Sequence, residues 1–444
     1  MKINPIKKIL TLLFFMLYLL LMISCSSTIV ENYIISASCN AGGVISPIGE
    51  VSILPGEDQS FTITPNVGYQ ISDVQVDGIS VGVVTSYAFT NVNEDHIIMV
   101  TFLGTGPVHN LTKDTYYETI QAALDVAWNN NIIEVDDGTY NESITFPYNK
   151  KIILRSVHGT TSTLIRGDAD SPTVKLMKSL AGTTLKGFII SHKIGNSGRG
   201  IYLHNSYLSI DDCYINGNTS NYYGGGIYSS NTTLTISNSQ ICSNTAVHGG
   251  GIYSSNTTLT ITGSTITGNE TNDGAGIFNG YNSTLTISES NVSGNTAISS
   301  GGGIYNSNAI LTITDNTISG NTAAFGAGID AFNNSTLIIE DTNIFGNTSS
   351  YRGGGINVYE SVLTITGSTV CENSAESGGG IMIWSTSSAT LSIGGSDPGK
   401  KNVICGNYKT GNSPSLEEQI KEHFSGSLYD SYKFTNYISA SCVL

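Results

Sequence analysis

The residues able to do chemistry in this chain are few and scattered. Asp211-Asp212-Cys213 places two carboxylates beside a thiol, and His204 and His248 are isolated imidazoles. Glu289, Asp315 and Asp341 recur at one position of a repeated unit. General acid–base work needs paired titratable groups within reach of one reacting atom. Asp211 and Asp212 follow a Leu208-Ser209-Ile210 strand and fall at its turn, with no partner base. From Ile201 to Gly399 there is no lysine, and Arg352 is the only arginine. No catalytic residues are therefore assigned. If units stack, Glu289, Asp315 and Asp341 lie ~5 Å apart, where like charges raise one another's pKa or take up a cation such as Ca2+. Three solvated turn acids are the plainer alternative.

A second set of residues suits binding. The residue after the isoleucine of each Gly-x-Gly-Ile reads Tyr202, Tyr228, Tyr253, Phe278 and Tyr305, then Asp330, Asn357 and Met382. Stacked units align the five aromatics as an outward stripe. Such rings bury much area at low entropic cost, and a contiguous exposed stripe marks a contact surface. A self-stacking ladder that only stiffens the sheet is the competing reading. Tyr222, Tyr223, Tyr281, Phe325, Tyr351 and Trp384 come from the flanking loops.

The chain has seven cysteines. Cys371 and Cys405 each follow a strand residue, Val370 and Ile404, in adjacent units. In-register neighbours have Cα atoms about 5 Å apart, within disulfide range, though stacking is not ideal bridge geometry. Cys242 shares the register but sits five units from Cys371. Cys213 aligns with Ser239, Ser264 and Ser290 in a row of small inward residues, which predicts a buried free thiol. The pairing of Cys39 and Cys442 stays open.

What positions these residues is a repeat. The Gly-x-Gly-Ile isoleucines stand at 201, 227, 252, 277, 304, 329, 356 and 381, with gaps of 26, 25, 25, 27, 25, 27 and 25 residues. A fixed period of this size means a solenoid. Each unit has three short strand-like runs, as in Gly-Ile-Tyr, the alternating Leu259-Thr260-Ile261, and Ile266 before Asn269. No unit has room for a helix, so the pattern is that of a parallel β-helix. Leu234/Leu259/Leu285, Ile236/Ile261/Ile287 and Ile241/Ile266/Val292 form inward stacks. Asn218, Asn244, Asn269, Asn295, Asn321, Asn347 and Asn373 form an amide ladder of structural character. Length varies only in the two loops flanking the Gly-Ile strand, where solenoids usually place binding.

The 444 residues allow two or more domains, and a net charge of −15 argues against a nucleic-acid partner. Residues 1–24 combine Lys2, Lys7 and Lys8 with an apolar run to Ile23. Met22-Ile23-Ser24-Cys25 resembles a bacterial lipobox, which implies lipidation of Cys25. Ser26 and Ser27 lack the inner-membrane retention signal. The resemblance implies an exported chain held at the outer membrane or cell surface, contacting the membrane through its lipid only. A tether spans 25–32.

Residues 33–103 form a small β domain with alternating runs at 61–64, 71–76 and 97–102. Gly43-Val44-Ile45-Ser46-Pro47, Gly68-Tyr69 and Asp73 to Gly78 resemble the internalin-B-repeat family of surface modules, which implies a stalk. A linker spans 104–113. The N-terminal cap and first coils occupy 114–200, with a capping box at Thr115 and Glu118 and a helix of about three turns carrying Ile120, Leu124 and Trp128. Tyr117 to Leu124 and Gly138-Thr139-Tyr140 resemble the cap of the pectin-lyase-like superfamily. The coils, 201–407, resemble repeats of polymorphic outer-membrane proteins and related right-handed β-helix surface proteins. Residues 408–444 form a C-terminal cap, where Ser415 and Glu418 open a second helix carrying Leu416, Ile420 and Phe424.

The expected class is all-β: a right-handed parallel β-helix with helical caps, preceded by a small β module. The superfamily includes pectate lyases and polygalacturonases, and Asp211-Asp212 resembles the paired aspartates of the latter. The remaining polygalacturonase motifs (Asn-Thr-Asp, Gly-His-Gly and Arg-Ile-Lys) are absent. Three functions stand. The first is a non-catalytic surface protein binding glycan or extracellular protein, the second a polysaccharide lyase or hydrolase, and the third a structural spike.

Overall fold

The computed structural model describes residues 31–168, 170–193, 197–385, 390–393, 402–409, 420–424 and 437–439, with helical positions 6, 9–10, 12–14 and 16. Among these residues no helix is long and apolar enough to cross a membrane. Cys25, Ser415 and Glu418 lie outside the described residues. The chain divides into two compact units, Met1–Thr105 and Gly106–Leu444.

The first unit has a five-stranded and a three-stranded sheet. The alternating runs become strands Gln59–Pro65, Tyr69–Val76 and His96–Gly104. Their inward residues Phe61, Ile63, Val74, Ile98, Val100 and Phe102 are buried in one core.

The second unit is a right-handed parallel β-helix with sheets of 13, 12 and 11 strands. The repeat dictates its register. Leu234 pairs with Leu259 and Ile236 with Ile261, and the match continues coil by coil to Leu363 and Ile365. Period-2 alternation sends Leu and Ile inward and Thr outward. The result is one continuous apolar cluster from Val108 to Ile404.

Polar columns are built into the same interior. Each ladder asparagine donates through Nδ2 to Oδ1 of the next, from Asn218 to Asn407, at 2.9–3.1 Å. The same Oδ1 accepts the preceding asparagine's backbone N–H, as between Asn269 and Asn295 at 3.0 Å. Glycine is required beside the column. A Cβ on Gly226 would lie 2.9 Å from Asn244 Nδ2 and 2.6 Å from the Gly251 carbonyl oxygen.

Four expectations need correction. Thr115–Tyr117 is a strand, antiparallel to Val108–Asn110. The helix is shorter, Ile120–Asp125, and Thr119 caps it by accepting the Ala122 N–H. The carboxylate of Glu142 accepts the Ile120 and Gln121 N–H groups at 2.9 and 3.0 Å, the office assigned to Glu118. Trp128 is exposed rather than on a buried helix face. Second, Val108–Asn110 belongs to the β-helix, antiparallel to Asn131–Val135, so residues 104–113 are not all linker. Third, Ile420–Phe424 is a strand pairing in parallel with Ile381–Ser385. A spacing of four between Ile420 and Phe424 satisfies a helical face and one face of a strand equally, and here the open sheet edge is paired. Fourth, the loop after each ladder asparagine is not only loop. It forms an additional six-stranded parallel sheet beginning at Glu270–Asp273 and Thr296–Ser300.

Candidate ligand-binding groove

The five aromatics meet in register on the Gly-Ile sheet, Tyr202 to Tyr228 to Tyr253 to Phe278 to Tyr305. Neighbouring ring centroids are 5.1, 5.6, 4.8 and 5.0 Å apart; the first three pairs are stacked and the last is tilted by 39°. Rings this close and nearly parallel overlap by their faces, so they turn mainly edges and hydroxyls outward. Tyr253 and Phe278 are only 6% and 7% exposed. The expected open, flat stripe is therefore a stacked ladder, because the strand spacing of the sheet matches ring stacking. Arg199 covers its first members, 5.9 and 5.3 Å from the Tyr202 and Tyr228 rings. Burial raises the Tyr305 hydroxyl to about 12 and pushes that of Tyr253 up as well.

A second column faces this one. In the additional sheet Asp273, Ser300, Phe325 and Arg352 are successive register partners, and His248 is bridged to Asp273 one coil earlier. The ends of the Gly-Ile strands and the loops just after them form the opposite wall, the strands contributing Phe332, Tyr359 and Trp384 and the loops Tyr281 and Asn308. Between them lie two cavities of about 570 and 490 Å3, which adjoin because Asp273 and Tyr305 line both.

The first cavity has Tyr223, Tyr253, Phe278 and Tyr281 along it. His248, isolated in the sequence, has its Nδ1 3.1 Å from Asp273 Oδ2, and its ring stacks on Tyr223. The second cavity begins where the aromatic ladder stops. Asp330 holds the next ladder position, paired with Tyr305 and Asn357. It is fully buried, accepts the Asn357 Nδ2–H at 2.7 Å, and is hydrogen-bonded by Ser300. Burial pushes its carboxyl up to about 6 against those hydrogen bonds. Phe332 stacks on Tyr359 at 4.8 Å, and the Arg352 guanidinium sits 3.5 Å from the Trp384 ring centroid. Asp330 and Asp273 were missed as site residues. The signal was available in Asp330, the first acid in an otherwise aromatic column.

The other candidate residues have different places. Asp211 ends its strand, 2.9 Å from Lys186 Nζ, and accepts hydrogen bonds from Ser237 and Asn238. Burial alone would raise its carboxyl, but Lys186, Asn238 and Ser237 together hold it below the usual range. It is a structural acid. Glu289, Asp315 and Asp341 share one turn column, all at positive φ. Among the described residues no three His, Cys, Asp or Glu side chains come together as a metal site. Cys213 is a buried free thiol, raised to about 12 by burial. Cys371 and Cys405 are register partners with sulfurs 2.7 Å apart, in contact but not bridged to each other, so the expected disulfide between them is not formed.

Residues 225–395 match the family described as right handed beta helix region. Among solved structures the chain is similar to pectate lyase Pel9A, at 12% identity and a TM-score of 0.37, over 66% of this chain and 75% of that one. No curated protein matches.

Proposed function

We propose that this chain is a surface-displayed binding protein, anchored through Cys25, whose β-helix holds a glycan in the groove between the aromatic ladder and the additional sheet. The observation that carries this reading is the pair of adjoining cavities, walled by aromatic rings and amides. Sites for sugars and other small molecules are concave, with apolar walls and a few polar groups that fix orientation. The test uses a glycan and matrix-protein array. Tyr223 and Tyr281 are 41% and 54% exposed, so their double replacement by Ala should abolish binding and leave the melting temperature nearly unchanged. Retained binding would place the ligand elsewhere.

Polysaccharide cleavage is the second reading, favoured by one observation: Asp273 and Asp330 line the same cavity. Release of shortened chains by the wild type, abolished in Asp273→Asn, would establish it.

A further inference from the structure

We propose that the groove, if it is the binding site argued above, takes an uncharged glycan chain and rejects acidic ones. The charged groups on its walls already face other groups of the protein. Asp273 faces His248 at 3.1 Å. Asp330 is fully buried and hydrogen-bonded by Asn357. Arg352 is laid over the Trp384 ring. An acidic chain brings a carboxylate to each residue or two and needs cations that can turn to meet it, usually arginine in a bidentate fork. Here Arg352 is the only arginine and no lysine occurs from Ile201 to Gly399. Arg199, at the start of the ladder, is spent on the Tyr223 carbonyl oxygen at 2.7 Å and on two tyrosine rings. A uronate lying along the groove would thus set its charge against Asp273 and Asp330, inside a chain of net charge −15.

What the walls do offer is matched to hydroxyls. Tyrosine hydroxyls and the amides of Asn308, Asn333 and Asn334 both donate and accept. The apolar C–H groups of sugar rings have the edges of Tyr305, Phe332 and Tyr359 to lie against. The rungs recur every ~4.8 Å, close to the length of one pyranose ring in an extended chain. An extended neutral chain parallel to the coil axis therefore meets one rung for each residue, with rings and amides that differ from rung to rung.

The experiment is titration calorimetry on the full chain in detergent, with hexamers of β-linked glucose, mannose and xylose set beside hexamers of galacturonate and hyaluronan fragments. At least one neutral hexamer should bind about tenfold or more tighter than any acidic one. Its affinity should not change with salt, and it should be lost in Tyr223→Ala/Tyr281→Ala. Acidic hexamers binding tighter than the neutral ones, and lost in the same variant, would overturn the charge inference while sparing the groove. Neutral binding that survives the variant would overturn both, because the ligand would sit elsewhere. No binding by any hexamer would also overturn both.

Discussion

Two columns run side by side through the same coils and behave differently. The asparagine column is uninterrupted from Asn218 to Asn407. The aromatic column stops at Tyr305 and gives way to Asp330 and Asn357. The difference follows from where each finds its partners. A ladder asparagine is wholly buried, and its amide and backbone N–H are satisfied by the next asparagine. Changing one member orphans groups on its neighbours, and buried orphans are costly. A ring on the Gly-Ile sheet has solvent and loops beside it, so a polar residue can take its place once other groups hydrogen-bond it. The repeat is fixed inside and can vary along the groove.

The sharpest way to break this comparison is to cut the inner column. Asn295→Ala removes the acceptor of the Asn269 backbone N–H and side-chain amide, and the donor to the Ile266 carbonyl. Each buried orphan costs about 1–3 kcal/mol, so three put the expected loss at about 3–9 kcal/mol. A thermal scan should show a large drop in melting temperature, because neighbouring coils stabilise one another. A drop no larger than that from an exposed threonine would show that the column is ornament.

The outer column is probed at Asp330. Burial raises its folded pKa from 3.8 to about 6. An acid whose pKa is raised in the folded state binds its proton there more tightly than when unfolded. The folded state is therefore favoured below about pH 4, loses that advantage as pH rises through about 6, and changes no further above. The difference corresponds to about 3 kcal/mol. Asp330→Asn should remove that slope, so the gap in melting temperature between variant and wild type should change between pH 4.5 and pH 7.5. A constant gap would mean that Asp330 does not titrate in this range.

The coils were legible because their period is strict. Leu, Ile and Asn positions in the sequence became columns without exception between Leu234 and Asn373. The caps were less legible because they do not repeat. Nothing in the local sequence says that Glu142 rather than Glu118 serves the helix start, since the contact spans 22 residues. The groove was half legible. The aromatic register could be counted, but ring orientation depends on strand spacing. The partnership of His248 with Asp273 depends on loops forming a sheet that no apolar alternation announced. Cys371 and Cys405 were placed together by counting alone, since their register follows from the positions of Val370 and Ile404.

The smallest effect is expected at the acid row, and it tests whether a column defined by charge is instead defined by backbone. Its register runs Asp212, Asn238, Gly263, Glu289, Asp315, Asp341 and Gly367, with φ of 49, 49, 57, 49, 56, 46 and 63°. Glycine and asparagine alternate with acids, so the shared demand is the left-handed conformation, which glycine meets without strain. The N–H groups of Glu289, Asp315 and Asp341 each donate to a carbonyl oxygen of the next coil, Thr314, Glu340 and Thr366 in turn. That bond survives any side-chain change. Asp315→Gly relieves the left-handed strain and gains unfolded-state entropy, two terms of opposite sign, so stability should shift by no more than about 0.5 kcal/mol. Melting curves of wild type and variant should coincide with and without calcium. A calcium-dependent rise in the wild type that Asp315→Gly removes would show instead that the row holds a cation, and that its acids were selected for charge.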